Sequence, residues 1–206
     1  MKTTALVVQL LLLSAVHCVS APVNVAFNKP VTLNGGFPVY TFPGGPLCGT
    51  NPPQPAASIV TDGIFFPEGT CYQSGVYWDN VANSIDIDLQ GVFQLTSAIV
   101  QADDNDTYIL QYRDPGGAFH DWWTVGPSGS FGLITRPNSS DPTQPQNLST
   151  VVAAGLRFFA PPGSGDGQFA VAEIQVFANT DVPEPSPFIL VLTGIVLFTF
   201  SRLRRL

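Results

Sequence analysis

The stretch "SIDIDLQ", residues 84–90, decides the fold. Ile85, Ile87 and Leu89 fall on one side, and Asp86, Asp88 and Gln90 on the other. A period of two marks a half-buried strand with a wet, acidic face. "TYILQYRD" (107–114) alternates in the same way, with Tyr108, Leu110 and Tyr112 together. "VFQLTSAIVQ" (92–101), "AAGLRFFA" (153–160) and "FAVAEIQVFA" (169–178) are further apolar, β-branched or aromatic runs. Between the runs stand "NPPQP", "PEG", "DPGG", "PSGS" and "PPGSGDG". Glycine and proline at that density interrupt any long helix. Many short strands separated by such turns predict an all-β fold, an antiparallel sandwich or jelly roll. Two stretches, 34–55 and 126–150, read as long loops.

The two ends differ from this middle. Lys2, the apolar run Ala5–Leu13 and the small-residue stretch "SAVHCVSAP" predict a secretory signal peptide over residues 1–20, cleaved after Ser20. Residues 181–206, "DVPEPSPFILVLTGIVLFTFSRLRRL", hold prolines, then an apolar run, then Arg202, Arg204 and Arg205. The run from about Pro187 to Phe200 spans about 21 Å as a helix. That is short for a permanent membrane span, and the arginines stay cytoplasmic by the positive-inside rule. Pro183 and Pro185 keep the preceding stretch extended. Residues 21–180 remain as one domain, with room for a real core.

The 206-residue chain has a formal net charge of −7. Between residues 21 and 180 its cations are Lys29, Arg113, Arg136 and Arg157. So acidic a domain is a poor partner for nucleic acid. Of three cysteines, Cys18 leaves with the signal, so Cys48 and Cys71 stay. In an oxidising compartment they pair, which stabilises by about 3 kcal/mol in the chain-entropy model. The alternative is two buried free thiols. Enzyme signatures are scarce: no Gly-x-Ser-x-Gly elbow, no His-Glu-x-x-His and no phosphate loop.

Five pieces in order carry a resemblance. They are "NVAFNKPVT" (24–32), "AASIVTDG" (56–63), "SIDIDLQGVFQLTSAIVQ" (84–101), "TYILQYRDPGGAFHDWWTV" (107–125), and "GLRFFA" (155–160) with "AEIQVFA" (172–178). This order resembles the discoidin or coagulation-factor C-type domain, a galactose-binding-like β-sandwich, over residues 24–178. The chain departs from that pattern after Gly63, where "IFFPEGTCYQSGVYW" (64–78) is inserted and the family's Thr-Arg-Trp is absent. The tail, with Val182, Pro183, Glu184 and Pro185 ahead of the apolar run and basic end, resembles the PEP-CTERM sorting signal of Gram-negative bacteria. That resemblance implies an exosortase-type protease as partner and a membrane-held precursor released to the surface or matrix.

The discoidin resemblance also implies a structural Ca²⁺ held by Asp62 and Glu173, with Ser58 and Thr70 as further oxygen donors. Hard oxygen ligands suit that ion. Glu173 stands in an apolar strand, where a buried carboxylate needs a partner. "QADDNDT" (101–107) has part of a calcium-loop pattern in Asp103, Asp104 and Asp106, but it lacks the glycine and distal glutamate. It reads as a solvated turn between strands. Sugar recognition needs aromatic faces flanked by polar groups. The candidate ligand-binding residues are Tyr40, Phe42, Tyr72, Trp78 and His120, with Tyr77 beside them. The resemblance places at least one of Trp122 and Trp123 in the core and makes Trp78 partly structural as well. The expected function is binding of a glycan in an exopolysaccharide matrix, without catalysis. The alternatives are an adhesive matrix protein with no small-ligand site and a hydrolase on the same fold.

Overall fold

The alternating stretch lies within one 20-residue strand that bends and serves both layers of the fold. The computed structural model describes residues 21–39, 48 and 52–179. Nine strands follow in order: β1 (Val23–Asn24), β2 (Val31–Asn34), β3 (Val76–Trp78), β4 (Ser84–Asp103), β5 (Tyr108–Arg113), β6 (Phe119–Val125), β7 (Leu133–Arg136), β8 (Gln146–Phe159) and β9 (Phe169–Ala178). Two 3₁₀ turns, Ala57–Thr61 and Tyr72–Ser74, are the only helical elements among the described residues. Every strand pair is antiparallel.

The first half of β4 pairs with β2 and β8, which continues to β5 and β6. The second half pairs with β9 and β7, and β9 with β1 and β3. β8 follows β4 across a register shift between Asp88 and Phe93, where Gln90 takes φ 55°, and stays paired as far as Ala98, while on the other flank β2 gives way to β9 from Leu95. Asp88 Oδ1 accepts the Gln90 N–H at 3.2 Å, which fixes this left-handed corner. The step from "SIDIDLQ" to "VFQLTSAIVQ" is therefore a bend within one strand, because ladder bonding resumes on a new register.

The two layers meet on aromatic rings. Trp78 of β3 lies 6.0 Å from Tyr108 of β5 and 6.5 Å from Phe158 of β8. Tyr108 and Phe158 stack at 4.9 Å, and Phe169 of β9 closes on Trp78 at 5.7 Å. All four are buried, together with Ile85, Ile87, Leu89 and Leu110, the inward residues of the alternating stretches. Trp122 joins this core as expected, and its indole N–H donates to Ser149 O at 2.8 Å. Residues 126–150 are not one long loop: β7 lies inside them, because Leu133–Arg136 finds the unpaired edge of β4 at Val100–Asp103.

The expectations for residues 1–20 and 181–206, and for Tyr40 and Phe42, lie outside the described residues. That applies to Val182, Pro183, Glu184, Pro185, Arg202, Arg204 and Arg205.

Candidate functional site

Several connections gather at one end of the sandwich. Asp103 at the end of β4 pairs with Leu133 at the start of β7, and Tyr108 at the start of β5 pairs with Val125 at the end of β6. Onto this end folds the insert that follows Gly63, held at nearly every second residue. The Gly63 N–H donates to Glu173 Oε1 at 3.1 Å. Phe66 exchanges both backbone bonds with the Gln101 side chain, each at 2.8 Å. The Glu68 carboxylate accepts from the Thr135 N–H and hydroxyl. Thr70 forms a bridge with Leu133, Cys71 is joined to Cys48, and the Tyr72 hydroxyl donates to Gln168 Oε1 at 2.7 Å. Gly132 sits at φ 69°, and a Cβ there would fall 2.3 Å from Thr70 O, so only glycine lets these two loops close together. The result is a rigid ledge with Tyr72 half-buried in its surface and Phe131 43% exposed beside it.

Beneath the ledge lies an acidic corner. Asp103, Asp104 and Asp106 are buried, which corrects the solvated-turn reading of "QADDNDT". The tertiary cause is the loop 161–168, which closes over them. Thr107 N–H donates to Ser164 Oγ and Ser164 Oγ–H donates to Thr107 O, both at 2.7 Å. Gly165 at φ 43° presses on Asp106, and a Cβ there would stand 1.8 Å from Oδ1. Tyr108 donates to Asp106 Oδ2 at 3.2 Å, while Oδ1 is buried without a hydrogen-bond partner. Burial pushes Asp103 up to about 8, with Asp106 adding repulsion. Burial and then Asp166 push Asp106 up to about 7. Arg136 is the cation of this corner. It donates to Ala102 O and Asp103 O at 3.1 and 2.8 Å rather than to a carboxylate, and burial lowers its pKa.

The carboxylate pair implied for calcium sits along the neighbouring strand. Glu173 is fully buried, its Oε1 takes the Gly63 N–H, and its Oε2 has no partner. Burial raises its pKa to about 8 against the lowering effect of the Gln175 side chain and the Gly63 N–H, and the Asp62 charge adds a smaller push upward. Asp62 turns its own Oδ1 to the Ile64 N–H at 2.9 Å. Thr70 does not join them. It bridges to β7 on the other flank of β4, and its hydroxyl donates to Pro67 O at 2.6 Å. Ser58 is exposed in the first 3₁₀ turn.

The predicted ligand residues separate. Trp78 is removed from the set: it is fully buried at the meeting of the two layers, with its indole N–H unpartnered, because Val76 and Trp78 share the face of β3 that looks into the sandwich. Tyr77 is buried against Leu133, Ala170 and Ala172 instead. His120 lies on the β5–β6 hairpin, stacked on Tyr112 at 5.1 Å, with Nε2 2.9 Å from Asp114 Oδ2. Among the described ligand residues only Tyr72 stands on the ledge. Sequence reasoning missed Gln101, Glu68 and Thr135, which fasten the ledge. The signal for Gln101 and Thr135 was a single buried-side polar residue within an apolar strand, and Glu68 in its turn carried none.

No family model matches the chain, and no curated protein matches it. Solved structures do. A family 32 carbohydrate-binding module from Streptococcus pneumoniae EndoD is 12% identical over 76% of this chain and 99% of that one, with a TM-score of 0.46. A Streptococcus pneumoniae fucose binding module is 12% identical over 76% and 96%, at 0.47. A chitosan-binding module from a chitosanase/glucanase of Paenibacillus sp. IK-5 is 14% identical over 76% and 99%, at 0.45. With TM-scores below 0.5, none of these similarities bears on the site of this chain.

Proposed function

We propose that this chain is an exported bacterial surface or matrix protein whose β-sandwich binds a glycan of the exopolysaccharide matrix. The observation that supports it best is the fastened ledge. It holds the Tyr72 hydroxyl on the Gln168 amide, and Phe131 is exposed on the adjoining loop, where Gly132 closes against Thr70. An aromatic face flanked by fixed hydrogen-bonding groups is the chemistry of sugar recognition. Loops already held in place lose little further entropy on binding. The sorting-signal resemblance of the tail supports a membrane-held precursor and an exosortase-type protease that cuts near Val182–Pro185.

A structural calcium ion belongs to the same proposal. The residues fit it at one point: the fully buried Glu173 Oε2 lacks a partner, and Asp62 is its charged neighbour. Among the described residues no three side chains of His, Cys, Asp or Glu form a metal-holding group. Asp62 and Glu173 would therefore supply the charge, and backbone carbonyls most of the remaining oxygens. Such an ion would tie the start of the insert to β9.

The test is glycan-array binding by the full chain and by Tyr72→Ala and Gln168→Ala. Binding to a defined glycan, weakened at least tenfold in both variants, is the expected result. Retained binding in both removes the ledge as the site.

A further inference from the structure

The outer face of the layer β2–β4–β8–β5–β6 carries its polar side chains in rows. The registers place Thr32, Asp86, Arg157, Gln111 and Asp121 in one continuous line across five strands. Asp86 and Arg157 form a two-pronged pair, with both bonds at 2.7 Å, and the guanidinium lies 3.9 Å over the Phe119 ring. In the next row Arg113 lies across Gly155 and donates to Asp88 Oδ1 at 3.3 Å. A Cβ on Gly155 would fall 2.8 Å from Arg113 Nε, so the glycine makes room for that crossing.

This arrangement leaves a hollow on each side of the Asp86–Arg157 ridge. One, about 230 Å³, lies between Ser84, Gln111, Arg157 and Phe159. The other, about 200 Å³, lies between Thr32, Asp88, Arg113 and Phe119. Outward rows of a strand are about 6.8 Å apart, so the hollows are close enough for neighbouring units of one polymer. Each is smaller than the roughly 300–1,000 Å³ of an enclosed small-molecule pocket. A ligand held here gains its affinity by repeating along the surface.

Charge narrows the ligand further. The chain has few cations between residues 21 and 180, and Arg113 and Arg157 both stand on this one face. Each is matched by its own aspartate, and Asp121 adds a further negative charge that only the neutral Gln111 amide meets, so the face does not attract polyanions. Two of the five Arg157 N–H donors go to Asp86, and the fork has others for hydroxyls. Phe119 and Phe159 supply half-buried rings at the two hollows.

We infer that this sheet face is a second glycan-binding surface, for an extended, uncharged polysaccharide segment laid across the Asp86–Arg157 ridge. The inference rests on the glycan-binding reading of the chain but uses a different face from the Tyr72 ledge. It is tested by titrating the full chain with uncharged β-linked oligosaccharides of increasing length, with galactomannan, and with alginate as an acidic control. Gln111→Ala and Phe119→Ala probe one hollow each. Gln111 is a surface side chain bonded only to Asp121 Oδ1, so its removal leaves the core untouched. The expected result is affinity that rises with oligosaccharide length, a loss of tenfold or more in the double variant, and unchanged alginate behaviour. Equal affinity for monosaccharide and oligosaccharide overturns the inference, and so does preference for alginate. If the double variant binds as the parent does while Tyr72→Ala does not, the ledge stands and the sheet face falls. If no glycan binds the parent, both fall.

Discussion

Glu173→Gln separates the cost of a buried carboxylate from its use as a cation ligand. The folded chain holds this carboxyl near a pKa of about 8, against an ordinary value of 4.5, chiefly through burial. Below pH 4.5 both folded and unfolded states keep the proton, and the stabilising difference is whole. As pH rises from 4.5 towards 8, the unfolded state releases its proton and the folded state does not. Stability then falls by at most about 1.4 kcal/mol per pH unit. Over the whole window the loss approaches about 5 kcal/mol as an upper bound. Glutamine keeps the acceptor for the Gly63 N–H and cannot ionise. It also leaves an N–H pair where Oε2 had no partner, a pH-independent cost of about 1–3 kcal/mol. The slope is therefore the readout. In chelator, urea unfolding at pH 5, 6.5 and 8 is expected to show a shallower decline for Glu173→Gln than for the parent, by close to one proton. With calcium at a hundred times its Kd, the parent gains about 2.7 kcal/mol at pH 8 and the variant gains little. Equal pH slopes in chelator would refute the burial argument. Equal calcium responses would remove Glu173 from the cation site.

Gly165→Ala is expected to lower stability by more than 1 kcal/mol, read as a reduced urea midpoint, since φ 43° and the closeness of Asp106 both resist a Cβ. Trp78→Ala should cost about 3–5 kcal/mol and abolish the cooperative thermal transition in a marginal background. A preserved transition would show that the two layers do not meet on this ring. The pair Cys48→Ser and Cys71→Ser should lower stability by about 2–4 kcal/mol and loosen the ledge, seen as proteolysis within residues 64–75. For the tail, intact mass of protein recovered from the native surface and medium is expected to end near Val182–Pro185. A mass that retains "SRLRRL" would make the tail a lasting anchor.

The strand faces were legible in the alternation alone. Ile85, Ile87, Leu89, Tyr108 and Leu110 are inside because a strand alternates with period two whatever lies next to it. The pairing of Cys48 with Cys71 was expected too, and the structure joins them. Local pattern misplaced residues whose surroundings come from distant chain. Asp103, Asp104 and Asp106 look like a wet turn until the loop at Ser164 closes over them, 57 residues on from Thr107. Trp78 looks like a ligand platform until β3 pairs with β9 and turns its ring against Tyr108 and Phe158. The Asp86–Arg157 pair spans 71 residues, and the two hollows beside it exist only once five strands are in register. Alternation is a property of one strand's backbone, whereas burial of a turn and the shape of a sheet face depend on which strands become neighbours. That choice was made by packing across the whole domain.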